Sequence, residues 1–318
     1  MIAFVLSGGG NRGALQVGAL QVLLEAGIRP EMLVGASAGA LNAAFLATDP
    51  TPAGARRLGE IWQQVTKEDV YPGGPLRVAW HLLTHRDSLY RSDNFRAFLE
   101  ANVPSGVRSL RHLAVRLYIV ATDLATGRLY LFGEDPEGSL LDAIMASTAI
   151  PPLLPPWPHG GRLLVDGGVA ANLPVSVAVE KGATKVYALE IWGGQPPKNS
   201  HWNLWEITAW SIVALMRQQW ERDLVLCATH PEVTLHHLPL YTERPLAFDD
   251  FSQAAELIAE GRAAAEAYLA AQSLPQAVSE IAPIPGWKRA FCQMGGGIEG
   301  LWQALVAQIR RTGEAVSG

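Results

Sequence analysis

Cysteine is scarce. The 318 residues hold two, Cys227 and Cys292, far apart and outside any C-x-x-C or Cys/His ligand spacing. That argues against a disulfide-stapled scaffold and against a structural zinc site. Long apolar runs are missing too. None reaches the ~18 residues of a membrane span; Leu204–Met216 comes nearest, and Glu206 breaks it. The opening "MIAFVLSGGG" has no charged lead-in, and its apolar run is too short for a secretory signal. There is no basic block, and 25 basic against 30 acidic residues leave a net charge of −5, so nucleic acid is not an expected partner. Repeats of fixed period and low-complexity segments are absent as well. The setting these absences predict is reduced and cytoplasmic, with any membrane contact peripheral.

What remains is a chain that is 49% hydrophobic and 17% charged, enough to bury a large core. Its ten tryptophans fit core packing, or an apolar substrate pocket or lid. Ile2–Leu6 reads as a buried strand. From Gly13 the period becomes helical, with Leu15, Ala19, Val22, Leu23 and Ala26 on one face, and Gly27 ends it. "EMLVGASAGALNAAFLA" repeats the plan: a strand to Val34, a tight turn, a helix from about Ala38. Two strand–turn–helix units in succession predict a parallel α/β sheet with helices on its faces. Residues 50–112 read as covering helices. "RLYIVATDL", "RLYLF", "RLLVDGG", "KVYALEIW" and "EVTLHHLPL" read as strands; Asn203–Ala228, Asp249–Gln272 and Leu301–Arg310 read as helices.

The chemistry concentrates in three places. "GASAG" (Gly35–Gly39) is a G-x-S-x-G motif with a strand before it and a helix after it, the setting in which the serine sits exposed on a strained turn. A serine hydroxyl needs a base. Eight histidines are present, but His230, His236 and His237, the late ones, carry no motif, and "TLHHLPL" looks like a strand with alternating faces. Asp166 in "LLVDGGVAANLP" ends a strand, where α/β active sites gather, although an Asp-Gly turn alone is common. The first loop, "GGGNRG", also satisfies G-x-G-x-x-G through Gly8, Gly10 and Gly13. A dinucleotide site would want an acid ~20 residues later, at the end of the second strand. The nearest is Glu31, at the wrong end of that strand. The loop's N–H groups are better suited to an oxyanion formed at Ser37, with the helix from Gly13 adding its positive dipole end.

Together "SGGGNRG", "GASAG" and "DGG" resemble the patatin-like phospholipases. The likeness continues through "YIVATDLATGRLYLF", "AIMASTAIPPLLPP" and "VDGGVAANLPV", and covers roughly the first 195 residues. Ser7 stands where many members have Asp. The resemblance implies a three-layer α/β/α sandwich with a mostly parallel sheet and no metal or organic cofactor. It implies a Ser37–Asp166 dyad, Gly35 and Gly39 shaping the nucleophile turn, and an oxyanion hole from Gly8, Gly9 and Gly10 with Arg12 and Gly13 behind. The substrate would be a lipid or other fatty-acyl ester, cleaved through an acyl-enzyme. Residues 1–195 would be the catalytic core. Residues 196–318 would be a mainly helical extension packed on it, as a lid or dimer surface. There, Trp205, Ile212, Met216 and Trp220 form a stripe that fits core better than membrane. Two other readings stand beside this one: a serine acyltransferase using a carrier thioester, against which Ala36 argues because such enzymes usually have histidine there, and a nucleotide-binding protein.

Overall fold

The computed structural model describes residues 1–84, 87–192, 202, 204–228 and 230–273. The chain begins with β1 (Ile2–Leu6), α1 (Gly13–Glu25), β2 (Met32–Ala36) and α2 (Ala38–Thr48). Four covering helices follow: α3 (Pro52–Gln64), α4 (Lys67–Val70), α5 (Pro75–Leu83) and α6 (Asp93–Asn102). Next come β3 (Arg116–Asp123), β4 (Leu129–Phe132), α7 (Leu140–Ser147), β5 (Trp157–His159), β6 (Arg162–Val165), α8 (Gly168–Ala171) and α9 (Val175–Glu180). The described part closes with β7 (Lys185–Ile191), α10 (Leu204–Ala228), β8 (Thr234–Leu240) and α11 (Ala254–Ser273).

The strands form one sheet in the order β5-β6-β3-β2-β1-β7-β8, with β4 also paired to β3. The run β3-β2-β1-β7-β8 is parallel; β4, β5 and β6 add antiparallel pairs at one side. Alternation along β1 sets the layers. Phe4 and Leu6 enter a large apolar cluster with α1, α2 and α3, whereas Ala3 and Val5 enter a smaller one with Val175 and Val177 of α9 and Trp220 of α10. This is the expected three-layer α/β/α sandwich with a mostly parallel sheet. Leu6 pairs with Gly35 on one side and Leu189 on the other, so the loops after β1 and β2 leave the same sheet edge side by side. After β1 the strands add in one direction, and later ones add on the opposite flank. Such a reversal is where open α/β sheets place their sites.

Three expectations change. Helix α1 is not a one-faced helix: every residue from Gly13 to Leu24 is buried. Helix α3 covers one side, where the Ala55 carbonyl accepts from Gln21 Nε2, and α11, far along the chain, covers another. A Cβ on Gly18 would stand 1.9 Å from the Ile258 carbonyl oxygen, and one on Gly261 would stand 1.9 Å from that of Leu15, so α1 and α11 cross at glycine contacts. Second, β2 runs to Ala36, which delivers the next residue, Ser37, at the sheet edge. Third, a boundary at residue 195 does not match the edge of the sheet. Strand β8 pairs with β7 over Lys185–Ile191, and Met1–Ala271 form one compact unit. In the α10 stripe, Trp220 packs on the smaller cluster and Met216 approaches Gly168, while Ile212 is exposed. The Trp205 side chain, the loop at 193–200 and the helix expected at Leu301–Arg310 lie outside the described residues.

Candidate active site

Ser37 stands between β2 and α2 with φ 52° and ψ −123°, and is the one non-glycine residue of positive φ among the described residues. Such a backbone costs on the order of 1–3 kcal/mol and persists only when its surroundings over-determine it. Here they do. The Ser37 N–H donates to Ser147 Oγ (2.9 Å), which in turn donates to the Val120 carbonyl (2.6 Å). The Ser37 carbonyl accepts from Ala40 and Leu41. The two motif glycines are steric requirements: a Cβ on Gly35 would lie 2.4 Å from the Gly39 carbonyl oxygen, and one on Gly39 would lie 2.2 Å from that of Leu6. The turn is tight enough to point the hydroxyl out of the sheet edge because neither glycine carries a side chain.

Asp166, which follows β6, is brought to that hydroxyl from 129 residues away. Ser37 Oγ donates to its Oδ2 at 2.6 Å, and the Gly168 N–H donates to its Oδ1 at 2.7 Å. Its backbone is clamped at both ends: its N–H donates to the Ala149 carbonyl, and its carbonyl accepts from Thr122 Oγ1. The carboxyl is 1% exposed. Burial pushes it up to about 6, against the opposing pull of the Ser37 and Gly168 hydrogen bonds. A carboxylate so tuned can hold a proton transiently near neutral pH.

None of the described histidines bonds to either group. His81 faces the Ser88 carbonyl, His112 bonds Ser109, and His159 lies against Tyr130 and Phe132. His230 pairs with Glu232. On β8, His236 stacks on Tyr187, and His237 contacts Glu190 and Trp220, as alternating faces require. His85 and His201 lie outside the described residues. Among the described residues no group of three or more His, Cys, Asp or Glu is placed to hold a metal ion. No described helix is long and apolar enough to cross a membrane.

The glycine loop divides its labour in a way the sequence did not reveal. The Gly8 N–H donates to the Asn172 carbonyl, the Arg12 N–H to the Gly9 carbonyl and the Gly13 N–H to the Gly10 carbonyl. The N–H groups of Gly9 and Gly10 have no acceptor among the described residues. Gly8 is small because a Cβ there would meet Asn172 Oδ1 at 2.6 Å and Ser37 Cβ at 3.0 Å; one on Gly13 would run into Trp62 at 2.5 Å. The Arg12 guanidinium turns to the Leu246 carbonyl, 3.5 Å away. Asn11 is buried, and its amide nitrogen donates to the carbonyls of Ala247 (2.7 Å) and Asp250 (2.6 Å), which ties the loop to a strap before α11. Glu31 accepts from the Ile2 N–H at the opposite edge of the sheet, away from the loop.

Asn11, Ser147, Asn172 and Thr122 thus support the site without any motif to mark them. A further network, Trp62 to Asn42 (2.7 Å) and Asn42 to Gln16 and the Gly13 carbonyl (2.9 Å each), locks the loop's helix to α2. In front of Ser37 opens a cleft, shared with Gly10, Asn11 and Ala38. Its walls are apolar, among them Trp62, Tyr71, Phe95, Phe98, Leu154 and Phe251.

Residues 4–179 match the family model for patatin-like phospholipase. Mouse patatin-like phospholipase domain-containing protein 7 is 29% identical over 192 residues, 60% of this chain but 13% of the mouse protein. An uncharacterized NTE family protein of Mycobacterium tuberculosis is 31% identical over 176 residues, 55% of this chain and 28% of that one. The chain therefore spans a small part of the relatives' length. Among solved structures, VipD from Legionella pneumophila aligns with 85% of this chain and 66% of its own at 17% identity and a TM-score of 0.47.

Proposed function

This chain belongs to the patatin-like phospholipase family, and from that premise we propose that it is a serine lipid acyl hydrolase working through a Ser37–Asp166 dyad. The observation that carries the reading is the 2.6 Å bond between Ser37 Oγ and a buried Asp166 carboxylate, at the mouth of an apolar cleft. Asp166 takes the proton of Ser37 as Oγ attacks the ester carbonyl. The carbonyl oxygen becomes an oxyanion, and the free N–H groups of Gly9 and Gly10 receive it. Gly8, Arg12 and Gly13 hold the loop's shape. Asp166 then gives its proton to the departing alcohol, and the acyl group stays on Ser37. A water, deprotonated by Asp166, attacks the acyl-enzyme; as the bond to Ser37 Oγ breaks, Asp166 returns that proton to Oγ, releasing the fatty acid and the free serine. The cleft takes the acyl chain by its apolar walls.

No organic cofactor or metal enters these steps. The acyltransferase and nucleotide readings find less support: Ser37 is bonded to a carboxylate, none of the described histidines bonds to either group, and Glu31 is remote from the glycine loop. The reading includes a cytoplasmic protein that meets its lipid at a membrane periphery.

The test is a set of single variants on one soluble p-nitrophenyl ester, with folding checked by thermal melt. Ser37→Ala abolishes turnover, and Asp166→Asn lowers kcat by about 10²–10⁴-fold, the range for loss of a general base. His159→Ala, His230→Ala, His236→Ala and His237→Ala stay near wild type. A folded histidine variant that falls as far as Asp166→Asn would replace the dyad with a triad.

A further inference from the structure

Helix α5 is an exception among the covering helices. Leu76, Trp80 and Leu83 are 89%, 62% and 76% exposed. Their spacing of four and three places them on one face of the helix. An apolar face of this kind turned to water is unfavourable unless something covers it.

Its position is fixed by its two feet. Before α5, Val70 and Tyr71 line the cleft in front of Ser37. After it, the Leu89 and Tyr90 N–H groups donate to the carbonyls of Pro152 and Leu153, in the same stretch as the cleft residues Ile150 and Leu154. The two feet touch: the Tyr71 and Tyr90 rings lie 5.3 Å apart. Helix α5 is therefore an excursion from the cleft wall that returns to it. Its charge also departs from the rest. Residues 75–93 carry Arg77, Arg86 and Arg91 against Asp87 and Asp93, the last paired with Arg91, and two histidines, in a chain whose net charge is −5.

We propose that α5 is the face by which this protein docks on an anionic phospholipid bilayer, with Leu76, Trp80 and Leu83 inserted at the headgroup boundary. An amphipathic helix with apolar and tryptophan residues on one face and basic residues about it is suited to such an interface. The net positive charge of this stretch of sequence suits a negative leaflet. The bilayer covers the exposed face, and a lipid leaving it is delivered beside the cleft. This rests on the lipid hydrolase reading for its purpose but not for its test.

The experiment is flotation of the full chain with vesicles of phosphatidylcholine alone and of phosphatidylcholine with phosphatidylglycerol, at low and high salt. Wild type binds the phosphatidylglycerol vesicles more tightly, and salt weakens the binding. The triple variant Leu76→Ser, Trp80→Ser, Leu83→Ser loses vesicle partitioning by about tenfold or more. Its kcat/KM on a soluble ester stays within about twofold of wild type. Should the triple variant fold poorly by thermal melt, Trp80→Ala alone is read instead, with a loss of about threefold or more. Wild type that ignores anionic vesicles, or a folded variant that partitions as wild type does, overturns the proposal. So does a variant that turns a dimer into a monomer by light scattering with vesicle binding unchanged, since the face would then cover a second copy. If wild type has no esterase activity yet vesicle binding depends on α5, the hydrolase reading fails and the docking face stands.

Discussion

Replacing Asp166 by Asn is expected to stabilise the folded protein while disabling it. The carboxyl is pushed to about 6 in the fold, from 3.8 for the ordinary side chain, chiefly by burial. Between those two pH values the folded protein keeps a proton that the unfolded chain has released. Stability contributed by this group is thus present below pH 3.8 and is lost as pH rises toward 6. At 1.36 kcal/mol per pH unit, the difference between 3.8 and about 6 makes the ionised carboxylate unfavourable by about 3 kcal/mol at pH 8. Asparagine has nearly the same shape and no charge to desolvate, and its oxygen still accepts from Gly168. Allowing about 1 kcal/mol for a poorer contact with Ser37 leaves a net gain of about 2 kcal/mol at pH 8. The gain shrinks by about two thirds at pH 5 and vanishes near pH 4.5. Paired urea unfolding and thermal melts of wild type and Asp166→Asn across this range measure it. A variant less stable than wild type at pH 8, or a gap that does not change with pH, would refute the reasoning that burial sets this carboxyl.

With Asp166 as the proposed base, kcat/KM on a soluble ester is expected to fall about tenfold per pH unit below about 6, and a profile flat down to pH 4.5 contradicts a carboxylate base. Ser147→Ala orphans the Ser37 N–H and the Val120 carbonyl, so it destabilises by about 2–4 kcal/mol and lowers kcat with it; an unchanged melting point would show that Ser147 does not hold the turn. Gly39→Ala drives a methyl into the Leu6 carbonyl and costs at least about 3 kcal/mol. Gly10→Ala, at φ +60° but with open space beside it, costs about 1–2 kcal/mol, and equal melts for these two variants would contradict the steric account.

The candidate site was legible where local geometry forces residue choice. A serine held at positive φ between a strand and a helix needs small neighbours, and "GASAG" displays them. The strand-end aspartate in "VDGG" was visible as a candidate, and the bonding of its carboxyl to Ser37 gives it a partner. The two histidines of "TLHHLPL" were read as alternating strand residues, and they lie on opposite faces of β8. What the sequence hid depends on distant partners. Which loop N–H groups stay free is decided by Asn172 and by the helical turn at Gly10–Arg12. The burial of the outer side of α1 comes in part from α11, more than 200 residues later, through contacts at Gly18 and Gly261 that no periodicity records. The parallel pairing of β7 with β8 is likewise long-range, so a boundary drawn where the motifs end cut through the sheet.

Active-site labelling tests the central claim most directly. Wild type treated with a fluorophosphonate gains one adduct by intact mass, and peptide mapping places it on Ser37. Ser37→Ala gains none and loses ester hydrolysis, while Asp166→Asn is labelled about 10²-fold more slowly or worse. An adduct on Ser7, Ser147 or any other serine, or a Ser37→Ala protein that still hydrolyses the ester, would contradict the account.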